Sequence, residues 1–205
     1  MSRASAQQQN TPRIRGRALS AAAVAAAALV AIPAATANAA PQARTVNAKQ
    51  LKISMQAQQK DQWCWAASGN TIAAYFHKKY SQNQFCNAAW HRKQGTNCPN
   101  NPASLENDQN AFKWMHLKPG SVFYGYLYGK TIINEINANR PIEARIGWKS
   151  GGGHMHVIYG YDRSKGAVYF GDPWPSSRRY NRANYNWYVN NSQFAWTHSL
   201  YQIGR

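Results

Sequence analysis

The spacing of apolar residues changes along the chain, and each change marks a different kind of element. In "QLKISMQ", Leu51, Ile53 and Met55 alternate with polar neighbours, the period-two signature of a short strand. From Asp61 the spacing lengthens. Trp65, Ile72 and Phe76 fall at i, i+7 and i+11, one face of a helix predicted over 62–79, with Asp61 as its N-cap and Cys64 in its first turn. Residues 81–110 read as irregular, with room for one short helix. "ASLENDQNAFKWMHL" carries a weaker helical pattern. "TIINEINANR" carries a stronger one, with Ile132, Ile133 and Ile136 as its apolar face and Pro141 as its stop. Strand signals then dominate: "PIEARIGW", "HMHVIYGYD", "GAVYFGDPW" and "NWYVNNSQFAWTHSLYQI", separated by Gly, Asp and Ser turns. Helices first and strands afterwards predict an α+β domain with an antiparallel sheet. No internal repeat interrupts this order.

The first 39 residues obey a different rule. Arg3, Arg13, Arg15 and Arg17 form a basic leader, an alanine-rich apolar run follows, and Ala37-Asn38-Ala39 supplies a small-x-small cleavage site. This is the layout of a secretory signal peptide, so the product is expected to be secreted. The run is short and broken by Pro33, which argues against a membrane anchor, and no other stretch has membrane-spanning length. The domain organisation is then a signal peptide over 1–39, a short linker over 40–50 and one catalytic-size domain over 51–205, expected to be a monomer.

Charge narrows the partners without naming a chemistry. The chain has 24 Lys plus Arg against 7 Asp plus Glu, a formal +17. The four leader arginines account for four of these, so the exported part carries +13. Such a surface attracts polyanions, including anionic cell-wall polymers, and the twenty Trp and Tyr residues suit a sugar-containing one. The basic residues are scattered, with their densest cluster at Arg178, Arg179 and Arg182, which argues against a dedicated nucleic-acid function.

Three cysteines remain to be placed. Cys86 and Cys98 lie in "FCNAAWHRKQGTNCPNN", a polar, turn-rich stretch that an oxidising compartment would close by a disulfide. That leaves Cys64 as the odd thiol. There is no C-x-x-C spacing or clustered ligand set, so no metal and no cofactor is expected; His154-x-His156 lacks a third ligand of suggestive spacing. A helix N-terminus stabilises a thiolate, and a nearby imidazolium does so more strongly. "WKSGGGHMHVIYGYD" offers the imidazole: glycines 151–153 run into a strand that begins at His154. His154 and His156 share a strand face, so periodicity leaves both open, and the rim position favours His154 as base. Asp172, in "FGDPWP", stands where a carboxylate could accept the Nδ1–H of that histidine, with Trp174 to shield the bond. Gln58, six residues before Cys64, could supply an oxyanion donor beside the Cys64 backbone N–H.

Gln58…Cys64-Trp65-Ala66, Gly153-His154 and Asp172-x-Trp174 together resemble the papain-like cysteine peptidases. The closer resemblance is to their compact bacterial branch, which includes secreted effector proteases and double-glycine leader peptidases. It spans residues 50 to 201. It implies a papain-like fold, with a helical half carrying the nucleophile, a β half carrying the base, and the cleft between them. It implies Cys64 as nucleophile, His154 as general base and acid, Asp172 as orienting group and Gln58 as oxyanion donor. Asp172 stands where papain uses Asn, and residues 40–50 are too short for a large inhibitory propeptide. The expected activity is secreted cysteine endopeptidase on a polypeptide substrate. Two alternatives are a peptidoglycan amidase or endopeptidase with the same Cys-His chemistry, and a non-catalytic, aromatic-rich binding module.

Overall fold

The computed structural model describes residues 46–205; the signal peptide expected over 1–39 lies outside the described residues. The chain begins with β1 (Ala48–Gln50), followed by three helices, α1 (Cys64–Tyr75), α2 (Gln82–Ala89) and α3 (Leu105–Trp114). Strand β2 (Lys118–Phe123) and helix α4 (Gly129–Asn137) lead into β3 (Ile142–Trp148), β4 (Gly153–Asp162), β5 (Ala167–Gly171) and β6 (Tyr180–Asn184). A short helix α5 (Tyr185–Val189) and strand β7 (Phe194–Gly204) complete it. Among the described residues the strands form one antiparallel sheet in the order β2-β7-β3-β4-β5-β6, with β1 pairing β4 off this path. The α+β architecture predicted from the pattern is the one found.

Strand β4 is the centre of this sheet. Every residue from His154 to Asp162 is buried, and the strand pairs with β1, β3 and β5. Gly151 and Gly152, at φ 98° and 79°, turn the chain out of β3 so that β4 starts at Gly153 and His154 opens it. The helical layer packs on this strand through α1, whose Ser68 Oγ donates to the Met155 carbonyl at 3.3 Å. Close approach within the layer needs Gly69, where a Cβ would sit 2.3 Å from the Phe85 ring of α2.

Several boundaries differ from the predicted ones, each for a physical reason. Leu51, Ile53 and Met55 are buried in alternation, as a strand pattern requires, but they lie beyond β1 and form no ladder. Side chains and single carbonyls satisfy the backbone there instead: Leu51 N–H reaches Tyr159 O (2.7 Å), Met55 N–H Tyr180 Oη (3.1 Å) and Gln56 N–H Thr71 Oγ1 (3.0 Å). The paired strand β1 falls at the end of the stretch read as linker.

The first helix runs over Cys64–Tyr75 rather than 62–79, and its N-cap is Trp63, with no side-chain cap from Asp61. It ends early because His77 adopts φ 63° and closes a left-handed cap, with His77 N–H on Ala74 O and Lys78 N–H on Ala73 O. The same cap recurs at His91, His116 and Asn139, so α2, α3 and α4 stop by one device, and Pro141 is not what ends α4. Strand β2 contains Pro119, which a strand tolerates at a sheet edge, where β2 lies. Residues 186–189, read as strand, are helical because the Asn184 side chain accepts from Asn186 and Trp187 N–H.

Candidate active site

Cys64 is the first residue of α1, so its N–H has no intrahelical acceptor and faces outward with the positive end of the helix dipole. The two tryptophans beside it explain how that helix start is held. Trp63 and Trp65 are buried, and their indole N–H groups donate to Pro99 O and Asn101 O, each at 3.0 Å. The loop that receives them begins at Cys98, which the disulfide to Cys86, with Cα atoms 6.1 Å apart, ties to α2. Lys60 stacks its ammonium 4.3 Å from the Trp63 ring and bonds Asn97 Oδ1 at 3.0 Å, tying the approach to the same loop. Cys64 is the free thiol and is partly exposed.

His154 and Asp172 face Cys64 across a cleft of about 430 Å³, which Trp148 and Trp174 flank and Gln62 and Ser177 complete. His154 Nε2 lies 2.7 Å from Asp172 Oδ1. This corrects the expected geometry, in which Nδ1 met the carboxylate. Nε2 is the engaged nitrogen, so the opposite ring edge, with Nδ1, is left for the thiol. Asp172 lies just past the end of β5, with its N–H on Arg179 O at 3.1 Å. Its Oδ1 also accepts the Trp174 N–H at 2.9 Å, which fixes the carboxylate as well as the ring. Trp174 meets His154 edge-on, with centroids 6.3 Å apart, and is 43% exposed, so it covers the pair from one side only.

Electrostatics at the site sort the two histidines. Burial opposes charge on His154, yet its hydrogen bonds to Asp172 and Cys64 and their negative charges outweigh it, and its pKa is raised to about 9. For Asp172 burial acts upward, but the His154 bond, the nearby His156 and the Trp174 N–H bring it down to about 2. His156 is pushed down to about 3 by burial and by the His154 charge, against a weaker pull from Asp172. It therefore stays neutral, with Nδ1 3.1 Å from Tyr188 Oη and Nε2 3.8 Å from Asp172 Oδ2. Two residues apart on one strand, one imidazole is positioned as a cation and the other as packing.

Gln58 lies behind this cleft rather than in it. Its side chain is buried, and its amide nitrogen donates to Lys60 O (3.0 Å) and Asp61 O (2.8 Å), so both amide hydrogens are taken up inside the turn that leads to Cys64. The expected free N–H is absent in this state, and the Gln58 carbonyl oxygen is buried without a partner.

The pattern of the sequence did not single out Trp148. Its ring stacks on His154 at 6.1 Å and 23°, whereas Trp174 meets the same ring edge-on. Its place at the end of β3, before the glycine turn, was the available signal. The ligating atoms of His154, His156 and Asp172 lie within 4.8 Å of one another and could hold a metal ion. An ion there would have to break the 2.7 Å His154–Asp172 bond.

A thiol at a helix start, an imidazole across a cleft and a carboxylate behind it, on a helical layer packed against an antiparallel sheet, define the papain-like class of cysteine peptidases. Residues 45–193 match the family model described as papain-like cysteine protease AvrRpt2, and the chain belongs to that family. It is a cysteine peptidase. No protein among the curated sequences matches it. Several solved structures share the fold, two of them peptidase domains. One is the double-glycine-motif protease of an AMS/PCAT transporter, solved with its leader peptide, at 16% identity and TM-score 0.51, covering 76% of this chain and 94% of that one. The other is the peptidase domain of Streptococcus ComA, a bifunctional ABC transporter, at 18% identity and TM-score 0.54, covering 75% and 98%. Among the described residues no helix is long and apolar enough to cross a membrane.

Proposed function

We propose that the chain is a secreted cysteine endopeptidase that cleaves polypeptides through an acyl-enzyme on Cys64. The observation that carries this reading is the single imidazole, His154, gripped by Asp172 on one edge and offered to Cys64 on the other. The Cys64 thiolate attacks the scissile carbonyl, and the imidazolium of His154 protonates the leaving amine. The neutral ring then draws a proton from water for deacylation. Asp172 holds the ring in place and stabilises its charge without taking the proton. The Cys64 N–H is one oxyanion donor. The Gln58 amide is the second, giving up its longer bond, to Lys60 O, as the tetrahedral oxygen arrives.

An extended polypeptide suits the open cleft between α1 and the β4 rim, and the AMS/PCAT protease, which shares the fold, was solved in complex with a leader peptide. Secretion is supported by the basic-apolar-small layout of residues 1–39 and by the Cys86–Cys98 pair. The +13 charge of the exported part supports a second contact, with anionic wall polymer outside the cleft. The test is casein hydrolysis by purified wild type, by a thiol-alkylated sample and by Cys64→Ala, run beside turbidity loss of purified cell walls. Casein cleavage that disappears in both treated samples is expected. Wall lysis without casein cleavage would assign the same residues to peptidoglycan instead, and neither activity would reject the endopeptidase reading.

A further inference from the structure

Two carboxyl groups that the mechanism does not use face each other in the core. Asp108 projects from α3 and Glu143 from β3, and both are fully buried, at 0% exposure. None of their four oxygens meets a hydrogen-bond donor of the protein. They are close enough to hydrogen-bond one another once a proton is present, and close enough to sense a negative charge on Cys64. A carboxylate only accepts; a carboxylic acid also donates. Two buried, apposed carboxylates without a donor would each carry an uncompensated charge, the costliest group a core can hold.

Among the described residues no cation answers them. On β3, Arg145 lies two residues from Glu143 and so on its face, but it turns to Thr197 Oγ1 at 2.8 Å. The register partners of Glu143 are Val157 on β4 and Leu200 on β7, both apolar. Helix α2, which packs on α3, contains no charged residue, and Lys118 of β2 is solvent-exposed. Glu106, two residues before Asp108 on α3, is bound to Tyr124 Oη at 2.7 Å. From α1 the titratable group that acts on the pair is Cys64.

We propose that Asp108 and Glu143 are carried as an un-ionised acid pair at neutral pH, a proton-holding positioning element that joins α3 to β3 and leaves the core near Cys64 free of competing negative charge. The arrangement supplies the missing donor from the pair's own protons. It also lets the thiolate be the negative charge of that region. Burial drives both acids well above the ordinary carboxylate range; Glu143, Cys64 and Glu106 raise Asp108 further and Cys64 raises Glu143, while the hydrogen bond between the two acts downward on Glu143 and is outweighed, so the folded state holds protons there that the unfolded chain has released. The sign follows: this stability is full below the unfolded carboxylate pKa and is lost as pH rises through the folded one.

The pair can be read directly by infrared spectroscopy of the wild-type protein. Of the other five carboxylic side chains, Asp61 is solvent-exposed, Glu135 is ion-paired with Arg140, and Glu106, Asp162 and Asp172 are held below the ordinary range. A carbonyl-stretch band of un-ionised carboxylic acid at pH 7 that shifts in heavy water is therefore expected from Asp108 and Glu143 alone. Its absence, whether from ionisation or a lodged cation, overturns the proposal, and this readout needs neither a variant nor activity. The second arm compares Asp108→Asn/Glu143→Gln with wild type. Replacing both partners by same-shaped neutral groups should leave Cys64 alkylation at pH 7 within about twofold and flatten the alkaline fall in Tm. A folded variant in which alkylation drops by about tenfold or more, or in which the alkaline fall persists, would show that ionised carboxylates are used instead. The reading of Cys64 as nucleophile is tested separately by Cys64→Ala, so the two can fail independently.

Discussion

Asp172 Oδ1 accepts two hydrogen bonds at once, from His154 Nε2 at 2.7 Å and from the Trp174 backbone N–H at 2.9 Å. The carboxylate is thus locked by the chain that follows it, and in turn it locks the imidazole.

An amide at position 172 can keep both acceptor contacts through its oxygen but lacks the charge. Asp172→Asn should retain measurable kcat/KM, with its alkaline limb moved to lower pH as the His154 imidazolium loses its counter-charge. Asp172→Ala removes acceptor and charge together and should be the slower enzyme by roughly tenfold or more, in line with the worth of an oriented acid–base group. Profiles of kcat/KM against pH for both variants decide it; an Ala variant equal to Asn would make Asp172 a turn residue only.

The two histidines should separate by pH. His154, raised to about 9, keeps the imidazolium through neutral pH, so kcat/KM should fall as pH rises past about 9. Their stability contributions have opposite signs. The His154 term is complete below about 6.5 and lost as pH climbs to about 9, because the folded state binds the proton more tightly. The His156 term runs the other way: it is neutral above about 6.5 and lowers stability as pH falls towards about 3, because the unfolded state takes up the proton first. His154→Ala should abolish turnover and slow Cys64 alkylation at neutral pH. His156→Gln should keep most activity and flatten the loss of Tm between pH 6.5 and acid.

Gln58 should reveal its two duties separately. Gln58→Ala removes the amide from the Lys60–Asp61 turn as well as from the oxyanion, and should cost about 10²–10³ in kcat with a lower Tm. Gln58→Glu cannot donate to those carbonyls and should be at least as poor. A kcat unchanged in Gln58→Ala would leave the Cys64 N–H as the oxyanion donor of this site.

Reducing the Cys86–Cys98 bond should lower stability by roughly 3 kcal/mol in the chain-entropy view. It should also lower Cys64 reactivity, because the carbonyls that hold Trp63 and Trp65 belong to the loop beginning at Cys98. Cys86→Ser/Cys98→Ser, followed by thermal unfolding and alkylation kinetics, measures both. A loss of stability with unchanged alkylation would uncouple the loop from the nucleophile.

What the sequence made legible was chemistry placed at the ends of elements. Cys64 at a helix start, His154 after a glycine run and Asp172 before a proline each announce themselves by residue type and local punctuation. Which ring nitrogen meets Asp172 was not legible, because it depends on how β5 lies beside β4. The histidine caps were missed because glycine or asparagine is the usual signal at that position, and His77 and His116 fell inside stretches read as helical. Asp108 and Glu143 were missed for a related reason. Within "LENDQN" and "PIEAR" each looks like an ordinary polar position, and only tertiary packing turns the two towards each other.

The burial of β4 has a consequence for how this enzyme can diversify. Its base is the opening residue of a strand that is buried along its whole further length and flanked by three others, so no hinge separates the chemistry from the core. A change in β4 that shifts His154 must also disturb packing, and variation there will be read as instability before it is read as altered preference. New substrate tastes have to be acquired elsewhere. The segments free to change are those that border the cleft without belonging to the sheet or to the catalytic set: Asp61 and Gln62 on the approach to α1 and residues 175–177 beyond Trp174.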